Sequence, residues 1–120
     1  MGVAWDFSLA DIAGAQEFSN AVEDYQATIS GGPAWEPDEI ILKGGEVLVA
    51  LSDWDVPDGW SEPSVRLVSP DEPWTANALL FAVHRWISKQ ECTLEHPFFE
   101  GLTLASIESA VPKYWLRLGG

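Results

Sequence analysis

The chain has 120 residues, 47% of them hydrophobic, and its 19 Asp and Glu against 6 Lys and Arg leave a formal net charge of -13. That size fits one domain, 1–120, around a single core, and the longest uncharged run, PWTANALLFAV, is too short to cross a bilayer. Residues 1–84 hold 15 acids and two bases, Lys43 and Arg66, whereas residues 85–120 hold four of each, and a field of that sign repels phosphate backbones and anionic membranes, so no direct binding to either is expected.

The opening VAWDFSL alternates as a short strand, with Val3, Trp5 and Phe7 on one side. From Ser8 the period becomes helical: Ile12, Ala15, Phe18, Val22, Tyr25 and Ile29 recur at spacings of three and four. Ser8 and Asp11 approximate a capping box, the other faces carry Asp11, Glu17, Glu23 and Asp24, and SGGP at 30–33 ends the helix.

EIILKGGEVLVAL, residues 39–51, places two apolar runs around Gly44-Gly45 and predicts a tight hairpin, with Lys43 facing Glu46. SVRLVS, 64–69, framed by Pro63 and Pro70, predicts a strand at a sheet edge. Thr75 is the expected N-cap of a second helix, whose stripe is Leu79, Leu80, Val83, Trp86 and Ile87 and whose polar side is Asn77, His84, Arg85 and Ser88. Strands at 102–107 and 113–118 close the chain. The resulting order, (β)αββ(β)αββ, predicts an α+β fold: a mostly antiparallel sheet with two helices packed on one face.

Chemistry is hard to find. Asp53, Asp55 and Asp58 suggest a calcium loop, but Pro57, Asp58 and Ser64 stand where its fifth, sixth and twelfth positions need other residues. Cys92 and His96 could bind zinc, yet Pro97 biases His96 out of a helix and a third ligand is hard to supply. The glycine pairs lack the spacing and the lysine of a phosphate loop. We therefore expect no catalysis, no metal and no cofactor. Cys92 is the only cysteine and the opening residues show no secretory signal pattern, so a reducing cytoplasm is expected.

Seven tryptophans are the other anomaly. Trp5, Trp86 and Trp115 are expected to point inward. Trp35, Trp54, Trp60 and Trp74 sit among prolines and acids, where they either cover one end of the core or stand as apolar anchors ringed by carboxylates. The second arrangement suits a cationic protein, because a negative rim steers its approach and indoles accept Lys or Arg. The expected partner-binding set is Asp53, Trp54, Asp55, Asp58, Trp60, Glu62, Asp71 and Glu72, with Trp54 and Trp60 as anchors. In size, acidity and helix-hairpin order the chain resembles two kinds of small acidic bacterial protein. One is the immunity protein or inhibitor that occludes a basic toxin or nuclease. The other is the dimeric chaperone that holds an extended segment of a secreted effector, and a homodimer fits that second kind.

Overall fold

The computed structural model describes residues 3–29, 35–52, 55–57, 59–60, 63–69, 72–90, 94–106 and 111–119. It is an α+β fold with helices α1 (Ala15–Ala27) and α2 (Ala76–Ser88). The strands are β1 (Ile40–Leu42), β2 (Gly45–Leu51), β3 (Ser64–Ser69), β4 (Trp74–Thr75), β5 (Phe98–Ser106) and β6 (Lys113–Gly119). Four of them form a sheet in the order β3-β2-β6-β5, while β1 and β4 make a separate two-stranded ribbon. The pairs β1-β4, β2-β3 and β5-β6 are antiparallel; β2 and β6 at the centre run parallel. The expected edge position of 64–69 is where β3 lies.

The alternation of β2 explains which face is covered. Val47, Val49 and Leu51 are buried on one side, and Leu116 lies level with Leu51 on the same side. They share one core with Phe18 and Val22 of α1 and Leu79, Leu80, Val83, Trp86 and Ile87 of α2. Burying each such side chain stabilises the fold by about 1.5–3 kcal/mol, so this shared interior holds the two helices on the sheet. At the start of α2, the Thr75 hydroxyl accepts from the Ala78 amide at 3.1 Å, as expected of an N-cap.

Several expectations are corrected. Among the described residues the opening segment forms no strand and meets the sheet at a bridge between Asp6 and Phe98, flanked by Phe7 N–H to Pro97 O at 2.9 Å and Phe99 N–H to Trp5 O at 2.8 Å. Helix α1 starts seven residues after Ser8, at Ala15, with Gly14 as N-cap; Ser8 instead donates to the Asp6 carboxylate at 2.6 Å. The 39–51 hairpin does not form. Gly44 and Gly45 do adopt positive φ, +131° and +88°, but both sides of β2 are taken by β3 and β6, so the turn redirects the chain and β1 pairs with β4. Glu46 consequently meets Arg66 at 3.1 Å instead of Lys43.

Trp115 follows the pleat. With Leu116 inward it must point outward, and it is 37% exposed with the Lys113 ammonium 4.4 Å above its ring. His84, expected on the polar side of α2, is fully buried at 0% exposure. Its Nδ1 accepts the Trp5 indole N–H at 3.1 Å and its Nε2 meets the Ala10 carbonyl at 3.1 Å.

Candidate functional site

Of the eight residues expected to bind a partner, Asp53, Trp54, Asp58, Glu62 and Asp71 lie outside the described residues. Asp55 is half-buried and closes a turn: its N–H donates to Ser52 O at 2.9 Å and its carboxylate accepts from the Ser52 hydroxyl at 3.1 Å. Trp60 is only 8% exposed, packed edge-on against Trp86 with ring centres 5.6 Å apart. A ring so covered offers no face to a partner, which corrects its expected role as an anchor. Trp60 covers one end of the core, and Trp74 is buried likewise.

Glu72 is exposed and sits against Gly44, where an added Cβ would come within 2.9 Å of the Glu72 carbonyl. It neighbours the start of β2, because Gly45 pairs with Ser69 and the Ser69 hydroxyl donates to Glu72 O at 2.9 Å. Asp55 follows the other end of β2. A strand of that length spans ~20 Å, so Asp55 and Glu72 flank opposite ends of the sheet and do not form one patch.

Glu72 is instead near the β1-β4 ribbon, where the chain gathers other carboxylates. Trp35 is half-buried and donates its indole N–H to the Ser19 hydroxyl of α1 at 3.0 Å. From there the chain turns, with Glu39 N–H to Glu36 O at 3.2 Å, and lies over the start of α2. The first amides of that helix find their acceptors here: Ala76 N–H meets Glu39 O at 2.7 Å and Asn77 N–H meets Pro37 O at 3.0 Å. The Asn77 amide reaches across to Ala15 O at 3.0 Å, tying the start of α1 to the same place.

The backbone carbonyls thus satisfy the helix, and Glu36, Asp38 and Glu39 are exposed residues. Their position also suits the positive end of the α2 dipole. Beside them Ile40 is 62% exposed, the most accessible large apolar residue on the described surface. Along α1, Glu17, Glu23 and Asp24 continue the exposed acidic surface. The candidate site is therefore an acidic shelf of Glu36, Asp38 and Glu39 with Ile40 at its edge, and the exposed Glu72 stands at the Gly44 end of the same ribbon. Three acids within four positions, directly before an apolar run, are the signal for it in the sequence, weaker than the density of tryptophan and aspartate in 51–63.

The uncovered face of the four-stranded sheet has the opposite character. Arg66 and Arg117 are exposed there, Lys113 lies over Trp115, and Glu46 engages Arg66. Three of the chain's six cations, Arg66, Lys113 and Arg117, belong to this sheet, and among the described residues α1 and the segment before β1 carry exposed Glu17, Glu23, Asp24, Glu36, Asp38 and Glu39. Among the described residues no group of three or more His, Cys, Asp or Glu could hold a metal ion, and no helix is long and apolar enough to cross a membrane. Comparison with known proteins gave no matching family model, no matching curated protein and no matching solved structure.

Proposed function

We propose that this protein is a non-enzymatic binding protein that uses its acidic surface to occlude a basic protein partner, in the manner of an immunity protein or an inhibitor of a toxin or nuclease. The observation that carries this reading is the shelf of Glu36, Asp38 and Glu39, with Glu72 at the other end of the ribbon. These residues are exposed, the backbone of residues 37–39 is bonded to the start of α2, and an exposed Ile40 follows them. Carboxylates on a rigid support steer a cationic surface from a distance, and an apolar residue among them gives it something to bury once docked. The single cysteine agrees with a cytoplasmic setting.

The test is capture from the native host on the immobilised full chain, in parallel with a variant carrying Glu36→Gln, Asp38→Asn, Glu39→Gln and Glu72→Gln. The native chain retains a basic protein that salt elutes, and the variant loses it. Equal retention by both chains, or a captured protein that is not basic, contradicts the reading.

A second reading, a chaperone for an extended effector segment, is favoured by one observation. Strand β5 is an edge strand of nine residues, and its stretch Gly101 to Ser106 carries no charged side chain. Charges are a common guard against strand addition, and an edge without them accepts an extended chain. A stable homodimer by light scattering, with binding to an unfolded segment and not to a folded basic domain, would select this reading over the first.

A further inference from the structure

The segment 3–13 has no helix or strand of its own, yet it carries Val3, Trp5 and Phe7 into the core. It is a strap laid across the molecule, and its attachments are few and specific. The Gln26 side chain of α1 holds Ala4 at both its N–H and its carbonyl. Backbone bonds at Trp5 and Phe7 cover the edge of β5 at residues 97–99. His84 holds the strap twice more, through the Trp5 indole and the Ala10 carbonyl, each at 3.1 Å. Between Phe7 to Asp11 of the strap and Ile87, Ser88 and Leu94 lies a cleft of about 200 Å³.

The chemistry of these two bonds fixes the state of the imidazole. A carbonyl only accepts, so Nε2 carries the proton; an indole only donates, so Nδ1 must be bare. Both bonds exist together only in the neutral ring. A second proton on Nδ1 would set two donors against each other at Trp5, inside a pocket walled by Trp5, Phe7 and Phe18. The charged groups around the pocket are Asp6 and Asp11 on the strap and Arg85 on α2, which lies 3.9 Å from Asp11, with Tyr25 of α1 against the far side of Trp5. Burial holds His84 below the usual imidazole range, opposed by the Ala10 bond and by Asp11 and Asp6.

We infer that the strap is an acid-releasable cover: neutral His84 latches it over the β5 edge and the cleft, and protonation of His84 unlatches its Trp5 end. Because the folded pocket binds the proton less readily than the unfolded chain, the latch is complete above about pH 6.5 and weakens as the pH falls below that value. Release uncovers the backbone edge at Phe99 and the apolar seat of Trp5 and Phe7, while β2 and β6 keep their pairing.

The experiment is residue-resolved hydrogen exchange on the full chain between about pH 7.5 and 5, corrected for the intrinsic rate, with the Trp5 indole resonance followed alongside. Protection at Phe7 and Phe99 falls by up to about tenfold per pH unit as the pH drops below about 6.5, and protection at Val49 and Leu116 does not. The response persists in His96→Gln, which leaves the pocket intact, and is lost in His84→Gln. Should that variant fail to fold, Trp5→Phe keeps the ring buried but removes the opposing donor, so its acid response shrinks. Equal loss of protection at Val49, or a native response in both His84→Gln and Trp5→Phe, overturns the inference.

Discussion

Around His84 both ring nitrogens have a named partner, Trp5 and Ala10, and the ring is out of water. Around the β1-β4 ribbon the side chains of Glu36, Asp38 and Glu72 stand in solvent, and only the backbone that carries them is fixed. The two regions obey different constraints. A polar group in the interior must be paired or it destabilises the fold, so its surroundings report on structure. A surface carboxylate contributes little to stability either way, so an accumulation of them owes nothing to folding. The acidic shelf is for that reason a better partner surface than the buried Trp60 and Trp74.

Substitutions separate the two regions, beginning with the largest effect. Trp60→Ala empties a site against Trp86 and destabilises the chain by about 3–5 kcal/mol in denaturant unfolding. If Trp60 were a surface anchor, stability would barely change and partner dissociation alone would quicken. Trp5→Phe leaves the buried His84 Nδ1 without its donor and costs about 1–3 kcal/mol; a loss below that range would mean the indole bond contributes nothing that water does not replace. Thr75→Ala removes the cap of α2 and costs about 1 kcal/mol, whereas Thr75→Ser retains it.

Much of the framework was legible in the sequence because local rules and tertiary packing agreed. The stripe Leu79, Leu80, Val83, Trp86 and Ile87 with Thr75 ahead of it gave α2 directly, and the flanking prolines placed 64–69 at an edge. The hairpin at 39–51 failed because Gly-Gly permits a turn without choosing the strand that follows it. The choice was made by β6, more than sixty residues further on, which pairs with β2 in parallel and leaves β1 no place in that sheet.

His84 was misplaced by residue type, although Ala76, Leu80, His84 and Ile87 continue one helical stripe at spacings of four and three. Its burial needed a donor at Trp5, and no local pattern announces a partner so far along the chain. Trp115 was misplaced by the habit of burying indoles, though its alternation with Leu116 already set it outward. For the candidate site, the sign of the charge was readable and its location was not. Where the acids gather depends on how segment 35–40 is laid over α2, and that is set by Trp35, Ala76 and Asn77.

The most direct measurement is the association rate with the captured basic partner across a range of ionic strength, for the native chain and for the variant with Gln or Asn at residues 36, 38, 39 and 72. The shelf predicts a rate that falls steeply with salt for the native chain and only shallowly for the variant, with unfolding stability changed by no more than about 0.5 kcal/mol. The same salt dependence in both chains would remove the shelf from the encounter and contradict the account.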